Sequence, residues 1–178
     1  MSLGDAPRQA ALRAMAHPLR LQMLSLLASA PLTAADVARE LALTHANASY
    51  HLRNLLSAGL IVQAGEERIR GGVAKRYRYD ADRGRDPGGF PDQHAADAQR
   101  ALIAAVANEL IRRTAEADWS VGGLMVDAEL WVDPQVWRET RDRIAEAARG
   151  LHDAARAPHT PGTVRANTTI AMFHMEDQ

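Results

Sequence analysis

Between residues 18 and 27 the apolar positions fall at Leu19, Leu21, Met23, Leu24, Leu26 and Leu27. A helix opening at Pro18 is therefore apolar nearly all round and belongs at the centre of a core. It is one of four helical segments expected before residue 60. Next comes Thr33, followed three residues on by Asp36, with Leu32 and Val37 placed as a hydrophobic staple. That spacing predicts a helix over 34–42. Thr44 caps another, which ends at Gly59, where a left-handed residue suits a helix C-terminus. After Gly59 the period changes from helical to alternating. Residues 60–64, a bend at Arg70-Gly71-Gly72 and residues 75–79 form a hairpin pattern.

The stretch 81–92 holds three glycines and two prolines that interrupt every apolar period, and it reads as a linker. It divides the chain into a unit of residues 1–80 and a second of residues 93–178. In the second, a helix is expected over 93–117 and a strand over 124–132. A helix then starts with Asp133 as cap and Pro134 in its first turn, with Val132 and Trp137 as a second staple. A last strand is expected over 164–175. The predicted class is α+β, mainly helical: three short helices and a two-stranded wing, then a long helix and a small strand-helix-strand unit.

The formal charge of -1 conceals an asymmetry. Residues 1–83 carry 11 Lys and Arg against 7 Asp and Glu, whereas residues 84–178 carry 10 against 15. The first unit is thus the candidate for a polyanionic partner. The chain has no cysteine, which excludes disulfides and thiolate metal ligands and fits a reducing cytoplasm. No apolar run is long enough to span a bilayer, so a cytoplasmic protein without a membrane partner is expected.

Three helices followed by a hairpin define a winged helix, and the residues deepen that likeness. Residues 33–41 and 43–52, the opening Met15-Ala16-His17-Pro18-Leu19-Arg20 and the stretch 55–61 together resemble the ArsR-type bacterial transcription regulators. The resemblance covers roughly residues 10–80. It implies a DNA-binding regulator, usually a dimeric repressor that occludes a promoter.

At 100° per residue, Ala48, Leu52 and Leu55 share one stripe of the helix that Thr44 opens. The opposite face carries Ala46, Tyr50 and Arg53, flanked by Asn47, Ser49 and Asn54. This face is expected to enter the major groove of duplex DNA. Asn47 suits adenine and Arg53 suits guanine or phosphate, while Thr44 and Ser49 suit phosphate oxygens near the positive helix end. His45 and His51 lie at the edges of the stripe, where packing and DNA contact are equally open; the family pattern favours His51 near the DNA. Arg68, Arg70, Lys75, Arg76 and Arg78 fall within eleven residues of the hairpin and are expected to contact phosphates, with Tyr77 and Tyr79 packing inward.

Residues 101–107 are apolar all round, so their helix needs cover on two sides. The simplest cover is the equivalent helix of a second subunit, with Leu102, Ile103, Val106 and Leu110 at a homodimer interface. Burial within the chain is the alternative. Neither the cysteines nor the His and carboxylate clusters of metal-sensing relatives are present; His152, His159 and His174 are scattered. No metal, cofactor or catalytic residue is expected. Asp127 and Glu129 could pair as carboxylates, but Arg165, Asn167 and Thr169 offer them cross-strand partners on a wet sheet face. Trp119, Trp131 and Trp137 fall inside twenty residues and are expected either as ordinary core or as the lining of a pocket for a small organic effector. The alternatives to a specific DNA binder are a winged-helix protein-interaction module and a repressor with an atypical metal site.

Overall fold

The computed structural model describes residues 5–69, 72–79 and 93–175. The elements are α1 (Asp5–Met15), α2 (Pro18–Ser29), β1 (Leu32–Thr33), α3 (Ala34–Glu40), α4 (His45–Ser57), β2 (Ile61–Ile69), β3 (Gly72–Tyr79), α5 (Gln93–Thr114) and α6 (Pro134–Ala154). The expected linker lies outside the described residues.

Local chemistry fixes the boundaries in the first unit. Thr33 and Asp36 form a complete capping box: the Asp36 amide donates to Thr33 Oγ1 at 3.2 Å, and the Thr33 amide donates to Asp36 Oδ2 at 3.0 Å. Leu32 and Val37 are both buried beside it. After α3 the Leu43 amide donates to the Ala38 carbonyl at 2.8 Å, with Ala42 at φ 53°, so the helix closes through a left-handed residue that is not glycine. Helix α4 ends in the same way. The Leu60 amide donates to Leu55 O at 3.0 Å, and Gly59 takes φ 69°.

The core sits where α2, α3 and α4 meet the sheet. Met23, Leu27, Val37, Leu52, Leu55 and Ile61 are its largest fully buried side chains. Strand β1, two residues that were not anticipated, pairs with β3 through Leu32 with Tyr77 and Thr33 with Arg76. The resulting antiparallel sheet has the order β1-β3-β2, with a bulge in β2 between Gln63 and Gly65. It anchors the wing to the start of α3.

Helix α5 divides its apolar surface. Ala98, Ala105 and Glu109 are buried and Leu102 and Val106 half-buried on the side that packs against α1 and α2. Ile103, Leu110 and Ile111 remain exposed on the other. Half of the all-round apolar character is thus absorbed within the chain. At the seam, Glu109 accepts from Gln22 at 3.1 Å and from Arg112 and Arg113 at 2.7 and 3.0 Å. Burial pushes the Glu109 carboxyl up, but the hydrogen bonds from Arg112, Gln22 and Arg113 outweigh it and hold the pKa at about 2.

The strand-helix-strand unit is corrected. Its helix is present, capped by Asp133 Oδ1, which accepts from the Gln135 amide at 2.7 Å. The flanking segments 124–132 and 164–175 form no strand among the described residues. Alternation describes two faces but supplies no partner, and a strand exists only in a ladder. Nor do the expected cross-strand partners of Asp127 and Glu129 meet them. Arg165 pairs with Glu116 at 2.7 Å, and Asn167 accepts from Arg113 at 2.8 Å.

Candidate nucleic-acid interface

Helix α4 is held by one face and presents the other. Ala48, His51, Leu52 and Leu55 are buried. His45, Ala46, Asn47, Tyr50 and Arg53 are exposed, and Ser49 and Asn54 are half-buried at the margin. Tyr50, at 56% exposure, is the largest apolar surface on this face. Thr44 Oγ1 accepts from the Asn47 amide at 3.2 Å, so the threonine caps the helix and holds its N-terminal turn open to solvent. Arg53 Nε donates to the Ser49 carbonyl at 3.3 Å, which lays the guanidinium along the exposed face. The outer face thus brings together hydroxyl, amide, phenol and guanidinium donors at the spacing of helical turns.

His51 turns the other way. Its ring lies 5.0 Å from that of His17 and 5.2 Å from that of Tyr50, and its Nδ1 is buried without a hydrogen-bond partner. Burial first, then the charges of His17 and Arg20, hold its imidazole below the usual range. The ring is thus packed beneath the outer face, edge-on to Tyr50, which is the packing alternative of the two left open for it.

The wing divides likewise. Tyr77 and Tyr79 pack against the core. Arg68, Lys75 and Arg78 are exposed, whereas Arg70 lies outside the described residues. Arg76 does not project: its Nη2 donates to the Pro31 carbonyl at 2.9 Å and its Nη1 lies 3.8 Å from Glu67. Opposite Thr33 and Gly65 in the sheet, it staples the base of the wing to the chain before α3. Two acids that the basic count passed over, Glu66 and Glu67, face Lys75 and Ala74 across the hairpin and temper its charge.

One region was not singled out from the sequence. An open groove of about 410 Å³ runs between α1, α2 and α4, lined by Arg13, Arg20, Tyr50, Asn54 and Ser57 among others. It places two arginines beside the exposed face of α4. The signal was available only in the packing, because Arg13 and Arg20 are remote from α4 in sequence.

The tryptophans do not converge. Trp119 and Trp131 are 76% and 87% exposed, and Trp137 stacks near His174 at 5.0 Å. Among the described residues no three His, Asp or Glu side chains gather as metal ligands, and no helix is long and apolar enough to cross a membrane.

A helix packed across a capped, short-turn partner, with a polar outer face and a wing beside it, is a helix-turn-helix arrangement. Residues 15–64 match the family model of a helix-turn-helix domain. The match runs from the end of α1 into β2 and takes in the whole of α3 and α4, and it supports DNA-binding transcription regulation as the role of this region. No match to a curated protein accompanies it.

Proposed function

We propose that the protein is a sequence-specific transcription regulator of the ArsR type, acting as a homodimer and repressing by occupying promoter DNA. The observation that carries this reading is the outer face of α4, where Asn47, Tyr50 and Arg53 stand exposed above the buried Ala48, Leu52 and Leu55. Asn47 and Arg53 read base edges, and Thr44, Ser49 and His45 lie by the backbone at the helix N-terminus. Lys75, Arg68 and Arg78 add phosphate contacts from the wing, and Arg13 and Arg20 extend the basic surface along α1 and α2. The protein carries no catalysis of its own in this reading, it works in the cytoplasm, and its effector, where one acts, is a small organic molecule bound in the C-terminal half.

Fluorescence anisotropy with a labelled operator selected from genomic fragments tests it. Asn47→Ala and Arg53→Ala should each weaken specific binding by roughly 1–3 kcal/mol while leaving binding to random duplex nearly unchanged. Lys75→Ala should instead weaken both alike and reduce the salt slope by about one charge. Equal affinity of the Asn47→Ala, Arg53→Ala double variant for operator and random DNA is the expected end point; undiminished discrimination would overturn the assignment.

A further inference from the structure

Residues 118–175 form an arm that buries nothing of its own. From Leu110 to Met175 no residue is buried, and 14 of the 21 exposed large apolar side chains of the described residues lie between Trp119 and Met175. Leu124, Met125 and Trp131 are 91%, 93% and 87% exposed. The backbone is equally unsatisfied: among the described residues no backbone hydrogen bond joins 121–132 or 164–173 to another segment. Neither segment is helical over 124–132 or 164–173, and 124–132 alternates apolar Leu124, Val126, Ala128, Leu130 and Val132 along the sequence. Such a segment is an edge strand without a sheet.

The area sets the scale of what is missing. The chain exposes 13277 Å² at a mass of 19.4 kDa, where a compact monomer of that mass exposes roughly 8,500 Å². Even fully extended, the residues outside the described ones would account for only about half of the surplus. What remains, on the order of 2,000 Å² per chain, is the scale of a permanent subunit interface.

The same arm is held at its base. Arg165 pairs with Glu116, Arg113 donates to Asn167, and His159 Nε2 lies 3.1 Å from Glu40 of α3. It is thus positioned rather than loose: Thr168, Thr169 and Ile170 line a cavity with Leu21, Val106 and Glu109 of the same chain, while Val164 and Phe173 stay exposed on either side. The two extended segments also differ in charge. Residues 118–133 carry Asp118, Asp127, Glu129 and Asp133 and no Lys or Arg, whereas residues 155–175 carry Arg156 and Arg165 and no acid. Across the pairing segments themselves the contrast is Asp127 and Glu129 in 121–132 against Arg165 in 164–173, so two copies of 121–132 repel and unlike segments attract.

We propose that the arm is clasped by a second copy of this chain: the acidic segment 121–132 of each copy pairs as a β-strand with the basic segment 164–173 of the other. A two-fold arrangement makes this pairing twice, satisfies one backbone edge of each segment and gives two ribbons whose apolar faces can pack on each other. Exposure this large is present in every folded chain, so the partner that covers it must be made along with it, and another copy is. The exposed outer row of α5, Ile103, Leu110 and Ile111, lies at the base of the arm and continues the interface. This rests on the homodimeric reading above but moves the interface from α5 to the arm.

Sedimentation velocity of the full chain, with hydrogen exchange resolved by residue, tests it. The expected result is a dimer at micromolar concentration in which amides of 124–132 exchange at least about a hundredfold more slowly than an open coil. Leu130→Asp should yield a monomer that loses this protection while amides of β2 and β3 keep theirs. The exchange measurement on the unaltered chain stands even if the variant aggregates. A monomeric chain overturns the proposal, whether its arm amides are protected or not, and so does a dimer in which 124–132 exchanges freely or which Ile111→Asp dissolves and Leu130→Asp does not. Operator binding is scored separately: a clasped dimer that binds no DNA would sink the regulator and spare the arm, and a DNA-binding dimer with free arms would do the reverse.

Discussion

The winged helix and the arm both carry many apolar residues, yet one encloses a core and the other leaves its large apolar side chains exposed. Around α2, α3 and α4, the apolar stripes face one another at short sequence separation, and Met23, Leu27, Leu52 and Leu55 are at most 1% exposed. In the arm, α6 has an amphipathic pattern and buries no residue, with Val136 and Leu151 at 53% and 59% exposure. Amphipathicity therefore marks a surface suited to packing without specifying what packs on it. Where the partner is a few residues away the pattern resolves into a fold, and where it is absent the pattern persists as exposure.

The sharpest way to break this contrast is to make the same truncation in both regions. Leu52→Ala should destabilise the winged helix by about 3 kcal/mol, because a fully enclosed site collapses poorly around the lost methyl groups. Leu130→Ala removes a side chain that is 72% exposed, and it should move unfolding of the winged helix by less than about 0.5 kcal/mol. Denaturation followed by the signal of the N-terminal sheet separates them. Equal effects would show that the arm shares the core of its own winged helix.

An effect of slightly smaller size lies at the seam between the regions. Glu109, with a pKa held at about 2 against an ordinary 4.5, contributes stability that is fully present above pH 4.5 and is lost as pH falls towards 2. The shift corresponds to roughly 3 kcal/mol at neutral pH. Acid titration of folding should therefore be steep across that window in the native protein and visibly shallower in Glu109→Gln, which keeps the shape and loses the titrating group. His51 acts in a higher range. Its imidazole is held below 6.5, so the stability it confers is complete above that pH and declines as acid charges the ring.

Much of the first unit was legible because its signals are local. A capping box, a terminal glycine and a change of period are each complete within four or five residues, and α3, α4 and the hairpin follow from them. Three things were not legible. Strand β1 is two residues long and exists only because Tyr77 and Arg76 lie beside it, forty-odd residues on. Arg76 reads as one more basic residue of the wing until the Pro31 carbonyl comes within 2.9 Å. His51 carries the polarity of a groove contact, but its place in the turn beside Leu52 puts it under the surface. On α5, composition called for cover on two sides, whereas the packing of α1 and α2 covers Leu102 and Val106 and leaves Ile103 and Leu110 exposed. The strands expected in the arm are not formed, because alternation describes two faces without supplying a ladder partner.

The smallest effect tests the turn that sets α4 against α3. Ala42 holds φ 53°, a conformation that costs an L-residue on the order of 1 kcal/mol and glycine nothing. Ala42→Gly should therefore raise the stability of the winged helix by about 0.5 kcal/mol, after the added freedom of the unfolded glycine is subtracted. A loss of stability would place some other constraint on that turn.

The most direct test of the whole account is to select bound sequences from a random duplex pool with the full-length chain. Paired readers on a two-fold axis predict enrichment of an inverted repeat with half-sites about 10 base pairs apart, or a multiple of that spacing. Asn47→Ala should alter the preferred base at a symmetric pair of positions. Enrichment of a single unpaired site would contradict the dimer, and no enrichment over the starting pool would contradict DNA reading by α4 altogether.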